Sequence, residues 1–320
     1  MKVLIIGFGS IGKRYFSIFK KLKCQIKVFE IKYKSENNEN FFFNSLNNAK
    51  LWGPEIVVIC NNSNKHIDTL HGILSKNIKS ILIEKPLDTS FKKIEKLKIL
   101  DINYQKKIFV VNNINYFKPI KLIKKQLYKI GKIKFSNIFF GHNLNEMREK
   151  INKNHYISRK NRSGGLILDC IHEIFYSIHL FGLVKKIKVD KFNIANLDIN
   201  YEDLAKIKLL HENNILSFIT LDFIQFIKNR GCEIYGEKGT LIWKSLGKKN
   251  PKMYLQIINK NNKGKEIYIN KELKFDFNHQ YEEMISELIN FSKGKSKQNS
   301  LLSLKIFLKL NSILKKIYLN

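Results

Sequence analysis

The sequence predicts an α/β chain in which a parallel sheet alternating with helices is followed by a region built on an antiparallel sheet. Three observations carry this. A glycine run, Gly7-Phe8-Gly9-Ser10-Ile11-Gly12, sits between an apolar run and an amphipathic segment. Short β-rich apolar runs then alternate with helical patterns. The second half holds more strand-like than helix-like segments.

In chain order, Met1 to Ile6 supplies a buried strand and Ile11 to Leu22 a helix, with the glycine run as the turn between them. G-x-G-x-x-G in that context is a dinucleotide-binding pattern. Gly7 allows the tight turn, Gly9 lets the backbone approach a pyrophosphate, and Gly12 lets helix and strand pack closely. The N–H groups of the helix start, at Ser10 and Ile11, face the anion. The next strand, Gln25 to Phe29, ends at Glu30, eighteen positions beyond Gly12. An acid there can accept hydrogen bonds from ribose hydroxyls, which favours NAD; Lys32 and Lys34 near a 2′-phosphate leave NADP open.

Ile56 to Cys60 reads as a strand buried on both faces, followed by Asn61-Asn62-Ser63-Asn64 as the cap of a helix from near His66. Ligands of open α/β sheets bind beyond the carboxyl ends of strands, so Asn61 and Asn62 are placed to approach a nicotinamide ribose; both are also good turn residues. Ser80 to Ile83 is the next strand and ends in Glu84-Lys85-Pro86. The proline imposes an extended or cis geometry that aims Lys85 out of the strand end. A lysine there can share a proton with a substrate hydroxyl, or it is a solvated loop lysine. Ile108 to Val111 closes the sheet, and Lys118-Pro119 opens a helix to about Tyr128.

Beyond it, Lys132 to Gly141, Ile187 to Ile194, Asp203 to Leu210, Ile215 to Asp222, Arg230 to Tyr235 and Thr240 to Trp243 read as strands, with His211 to Asn214 as a hairpin turn. A helix spans Leu166 to Phe181, and Asp169 and His172, three apart, share a face of it. An imidazole there can take a proton as hydride leaves the same carbon; the other reading is a helix-start Asp and a histidine satisfied by backbone. The irregular stretch between Gly141 and Ser163 holds His142, Tyr156, Arg159 and Arg162, and a loop that long is more often functional than accidental. Its arginines can hold a phosphate or carboxylate bidentately, or are surface charges. Asn259 to Lys271 reads as a solvated hairpin, and Leu301 to Leu319 as a packed helix.

Composition sets the bounds. With 320 residues and 44% hydrophobic content the chain buries a sizeable core, expected as two domains. The run Val3 to Ile6 is too short for a signal peptide, and no run approaches the roughly 18 apolar residues of a membrane span, so a cytoplasmic protein is expected. The four cysteines, Cys24, Cys60, Cys170 and Cys232, are widely separated and suit free buried thiols rather than a metal site. The net charge of +31 suggests anionic partners, but lysines are spread over nearly every element with no compact basic tail. A chain-wide bias explains them as well as nucleic-acid binding does, and either way phosphorylated small molecules are attracted.

The order of glycine loop, acidic strand end, Asn-rich turn and Glu84-Lys85-Pro86 resembles the glucose-fructose oxidoreductase / inositol dehydrogenase / MocA family. The likeness continues through Ser163-Gly164-Gly165 to Asp169 and His172, through Gly231 to Leu241, and through Phe277 to Phe291. It implies a Rossmann domain, expected at 1–118, and a substrate-binding and oligomerisation domain at 119–320 with an open, mostly antiparallel sheet. It also implies an NAD(P)-dependent enzyme moving a hydride between nicotinamide and a hydroxyl or keto carbon of a sugar or nucleotide-linked sugar. By resemblance, Lys85 contacts the reacting hydroxyl, His172 is the acid or base, Asp169 accompanies it, Glu84 lies at the cofactor, and the protein is a homodimer or homotetramer. Three departures bear on substrate contacts. The step from acid to histidine is three, as in a subgroup tied to surface-polysaccharide pathways; Phe175 stands where that subgroup has Asp; and Tyr116 stands where an arginine is common. A catalytically silent nucleotide-binding scaffold of the same fold is the competing expectation.

Overall fold

The structure is a computed structural model that describes residues 1–30, 41–147, 165–247, 252–260, 266–273, 276, 278–297 and 303–319. The chain divides into two compact units, Met1–Asn113 with Tyr281–Ser312, and Ile114–Gln280 with Ile313–Asn320.

The first unit is built on a six-stranded sheet. Its strands are β1 (Lys2–Ile6), β2 (Gln25–Phe29), β3 (Phe42–Phe43), β4 (Ile56–Ile59), β5 (Ser80–Ile83) and β6 (Ile108–Val110), in the order β3-β2-β1-β4-β5-β6. All neighbours are parallel. The order reverses at β1, as in doubly wound dinucleotide folds, so the ends of β1 and β4 define the crevice. Val3 to Ile5 and Ile56 to Ile59 are fully buried, which is why these runs are apolar at every position rather than alternating.

Helix α1 (Ser10–Lys21) buries Gly12, Tyr15, Ile18 and Phe19, one face at helical spacing, and carries Lys20 and Lys21 in its last turn, where the dipole favours cations. Short helices α2 (Leu46–Leu51), α3 (His66–Ile73), and α4 (Phe91–Lys96) with α5 (Ile102–Gln105) lie in the crossovers from β3 to β4, β4 to β5 and β5 to β6. Ser45, Ser90 and Asp101 cap α2, α4 and α5 through their side chains.

The second unit opens with α6 (Lys118–Gln126), proline in its first turn where no N–H is needed. Its sheet has eight strands: β7 (Ile133–Gly141), β8 (Val184–Phe192), β9 (Leu204–His211), β10 (Leu216–Asp222), β11 (Asn229–Gly236), β12 (Gly239–Leu246), β13 (Lys252–Lys260) and β14 (Glu266–Glu272). The order is β14-β13-β12-β11-β7-β10-β9-β8, antiparallel throughout except for the β7–β10 pair. Residues alternate in the middle of the central strands: Ser136, Ile138, Ser217, Ile219, Cys232 and Ile234 are buried, while Phe135, Phe218 and Tyr235 are on the more open face. Between β7 and β8 run α7 (Leu144–Met147), α8 (Gly165–Asp169) and α9 (Ile171–Phe181).

Helix α9 covers the buried face. Tyr176 Oη donates to Gly231 O at 3.1 Å, and Ser177 Oγ donates to Ser217 Oγ at 3.1 Å. A buried hydrogen-bond cluster lies beneath it: His211 Nδ1 lies 2.8 Å from Gly182 O, its Nε2 2.9 Å from Ser217 Oγ, and Ser136 Oγ donates to Ser217 at 3.1 Å. Burial holds the His211 pKa below its ordinary value.

The C-terminal helices are α10 (His279–Ser292) and α11 (Leu304–Leu319). The sequence treats 119–320 as one continuous block, whereas Tyr281–Ser312 clusters with the first unit. The cause is specific packing: Phe291 meets Phe109 edge-on at 4.9 Å, Ser292 Oγ lies 2.6 Å from Ser80 Oγ, and Tyr281 meets Tyr15 at 6.1 Å.

Candidate functional site

The glycine turn forms as its residues require. Gly7 has φ +102°, a conformation that L side chains rarely adopt, and a Cβ there would lie 2.5 Å from Asn61 N. A Cβ at Gly12 would run into the Gly7 carbonyl, so strand and helix close on each other only through glycine. Gly9 differs: a Cβ there meets nothing within 4 Å. Gly9 is also the cap of α1 and supplies no side-chain acceptor to the helix N–H groups. Gly9 and Ser10 are exposed and Ile11 is half-buried. An open backbone, unfilled N–H donors and a positive helix end fit the diphosphate of a dinucleotide.

The turn is pinned from three sides. Gly7 N donates to Phe29 O at 2.9 Å, Phe8 N donates to Glu30 Oε2 at 2.9 Å, and Cys60 Sγ donates to Gly7 O at 3.2 Å. Glu30, expected to meet the ribose, thus also anchors the loop from the end of β2. Burial pushes the Cys60 thiol pKa well up, which keeps it a neutral donor. Lys32 and Lys34 lie outside the described residues.

Asn61 does not cap α3. Lys65 occupies the cap position with no side-chain bond, and a short 3₁₀ turn, Ser63–Lys65, intervenes. Asn61 Nδ2 instead donates to Thr69 Oγ1 at 2.8 Å, while Asn61 Oδ1 is buried with no hydrogen-bond partner among the described residues. Asn62 is exposed.

The β5 end is built as tightly. The Lys85–Pro86 bond is cis, within the two geometries expected from sequence. Glu84, 8% exposed, accepts from Tyr15 Oη at 2.5 Å and from Lys85 N at 3.0 Å. Burial first, and the Glu84 carboxylate second, raise the Tyr15 pKa well above its usual value, so it stays a donor. His66 bridges the two strand ends: Nδ1 lies 2.9 Å from Pro86 O and Nε2 3.0 Å from Asn61 O. Desolvation lowers its pKa. Tyr15 and His66 were given no role in the sequence and Cys60 only that of a buried thiol; their hydrogen bonds at the strand ends emerge only in the folded unit. Gly7, Gly9, Ser10, Ile11, Gly12, Glu30, Asn61, Glu84 and Lys85 therefore gather at the carboxyl ends of β1, β2, β4 and β5.

In the second unit, the expected single helix Leu166 to Phe181 is interrupted at Cys170, which has φ −95° and ψ 27° and starts α9. Between Gly165 and Ile178 every residue is buried except Asp169 and His172, so these two are the polar groups this stretch presents. Phe175 is 1% exposed and belongs to the core. Beside His172, Glu173 is buried and accepts from Arg230 Nε at 2.6 Å, with the guanidinium over the Phe117 ring at 5.7 Å. His142 is buried just past the end of β7, its backbone N–H donating to Asp222 O at 3.2 Å. Tyr116 is buried, with Lys121 Nζ 5.6 Å from its ring centre. Tyr156, Arg159 and Arg162 lie outside the described residues.

A doubly wound sheet with a glycine turn open at Gly9 is the architecture of a dinucleotide-binding domain. Comparison with known families agrees: residues 1–112 match the oxidoreductase family with an NAD-binding Rossmann fold, and residues 125–242 match the GFO/IDH/MocA C-terminal domain. The chain belongs to the GFO/IDH/MocA family of NAD-binding oxidoreductases. Comparison with curated proteins yields no match. Among solved structures it is similar to an oxidoreductase from Agrobacterium radiobacter in complex with NAD+, L-tartaric acid and magnesium, at 17% identity and TM-score 0.79 over 99% of this chain and 95% of that one. It is similar to the WlbA dehydrogenase from Bordetella pertussis in complex with NADH and UDP-GlcNAcA, at 15% identity and TM-score 0.74 over 99% and 95%. It is also similar to a super-repressor mutant of Gal80p from Saccharomyces cerevisiae, at 15% identity and TM-score 0.80 over 99% and 95%. At these identities the likeness concerns the fold. No helix among the described residues is long and apolar enough to cross a membrane.

Proposed function

We propose that the chain transfers a hydride between a nicotinamide cofactor and a hydroxyl or keto carbon of a sugar or nucleotide-linked sugar. The observation that carries this reading is Lys85. It stands half-buried at the end of β5 in a turn held by Glu84, Tyr15 and His66, in the same row of strand ends as the open glycine turn. The bound dinucleotide supplies the hydride donor or acceptor. Gly7, Gly9, Ser10, Ile11 and Gly12 hold its diphosphate, Glu30 the adenosine ribose, and Asn61 and Asn62 the nicotinamide side, while Glu84 sets the Lys85 backbone. Lys85 donates to the substrate oxygen, and His172, oriented by Asp169, takes or returns the hydroxyl proton. His142, Tyr156, Arg159 and Arg162 are assigned to the substrate. The first unit is the cofactor domain and the second the substrate domain, whose open sheet face, with Phe135 stacked on Tyr235 at 4.4 Å, associates with a second copy. The free cysteines suit a reducing cytoplasm.

A panel of sugars and UDP-sugars is incubated with enzyme and NAD, and NADH absorbance is followed. One member of the panel is expected to give turnover, and Lys85→Met is expected to lower kcat by at least about 10²-fold while leaving the NADH dissociation constant within about twofold. Equal loss of binding and turnover would remove Lys85 from the proton-handling role. The buried Phe175 and Tyr116 favour a second reading, a nucleotide-binding scaffold without turnover. Tight NAD binding with no reduction by any sugar tested would select it.

A further inference from the structure

Asn112 was not among the residues the sequence singled out. It lies two positions past Val110, the last β6 residue paired with β5, as Lys85 lies two positions past its partner Ile83. Val111 N donates to Ile83 O at 2.8 Å, so the two chains still run side by side at this end. Asn112 therefore joins Asn61 and Lys85 in the row of strand ends of the first unit. It is 6% exposed, and its Oδ1 has no hydrogen-bond partner among the described residues.

An unmet buried carbonyl is costly, and native proteins keep few of them. The neighbouring carboxylate does have partners: Glu84 accepts hydrogen bonds from Tyr15 Oη and Lys85 N. The unmet carbonyl of Asn112 therefore calls for a ligand donor. Its chemistry narrows the choice. The amide side chain offers an acceptor and N–H donors side by side, and among the described residues neither end is hydrogen-bonded. Asn61 differs, because its Nδ2 already donates to Thr69 Oγ1 at 2.8 Å, which leaves it an acceptor suited to a hydroxyl. The group that answers a whole amide is another primary amide, and the dinucleotide carries one on its pyridine ring.

Resting on the cofactor reading above, we infer that Asn112 recognises the nicotinamide carboxamide, Oδ1 accepting its N–H and Nδ2 donating to its oxygen. The pairing sets the rotation of the ring and so which face it turns toward Lys85.

The test is calorimetric binding of NAD, ADP-ribose and 3-acetylpyridine adenine dinucleotide, in which a methyl ketone replaces the carboxamide and removes its N–H donors. Wild-type protein is expected to bind the acetylpyridine analogue roughly tenfold more weakly than NAD. Asn112→Leu is expected to bind the two alike, with ADP-ribose affinity unchanged. Equal affinity of wild type for NAD and the analogue would overturn the assignment without any variant, as would full discrimination by Asn112→Leu. Wild type that binds ADP-ribose but does not discriminate loses only the role of Asn112. Wild type that binds none of the three loses the dinucleotide reading, and this inference with it.

Discussion

Gly7 and Gly9 are two positions apart and answer opposite physical demands. At Gly7 the backbone is in left-handed territory and a Cβ would meet Asn61 N at 2.5 Å, so Gly7→Ala is expected to cost ~2–4 kcal/mol. At Gly9 a Cβ enters open space, so Gly9→Ala is expected to change stability by less than about 0.5 kcal/mol. It should nevertheless weaken NAD binding severalfold, because the added methyl occupies the space a diphosphate needs. Thermal melts and NADH titrations separate the two; a Gly9→Ala protein with unaltered affinity would place the diphosphate elsewhere. Gly7 and Gly12 were legible in sequence because only glycine satisfies such backbone constraints. Tyr15, His66 and Asn112 were not, because nothing in their local sequence tells a buried polar group from a surface one.

Between elements, the Tyr15 to Glu84 hydrogen bond ties the glycine-turn helix α1 to the end of β5 across 69 residues of chain. Tyr15→Phe leaves a buried carboxylate oxygen short of a donor and is expected to cost about 1.5–3 kcal/mol in urea denaturation. A double-mutant cycle with Glu84→Gln should show coupling of at least about 0.5 kcal/mol; additive effects would mean that the two elements are held by other contacts. The break at Cys170 shows what periodicity misses. The residues on either side of it are apolar and buried, so the hydrophobic pattern runs through the break as one helix. Asp169 and His172 nevertheless remain the open positions of that stretch.

For the whole molecule, acid is the destabilising direction. Burial lowers the pKa of His66 and His211, and burial followed by Lys124 lowers that of His179 to about 4. Their folded values lie below the unfolded value near 6.5, so protons bind the unfolded chain more readily. The stability they contribute is fully present above about pH 6.5 and is lost as the pH falls through their folded values, which for His179 means toward about 4. Glu55, its pKa lowered chiefly by Lys79, adds a further loss below about pH 4.5. Each proton taken up also adds to a net charge already at +31. Melting temperature is expected to fall steadily from pH 7.5 to pH 5, and His179→Gln to flatten that slope; a melting temperature that rises over the range would contradict the burial of these rings. Cofactor is left out of the measurement, since binding would shift the curve.

The sequence by itself determined the parallel sheet, the glycine turn, the strand-end placement of Lys85 and the antiparallel second sheet. Each follows from local rules: strands buried on both faces are apolar throughout, half-buried strands alternate, and a tight turn against a helix demands glycine. Only the tertiary structure decided that residues 281–312 return to the first unit, that Glu30 and Glu84 act as anchors inside it, and that Asn112 is buried without a partner. Those outcomes depend on contacts between residues tens to hundreds of positions apart, and burial and hydrogen-bond satisfaction are properties of the packed chain that no local pattern encodes.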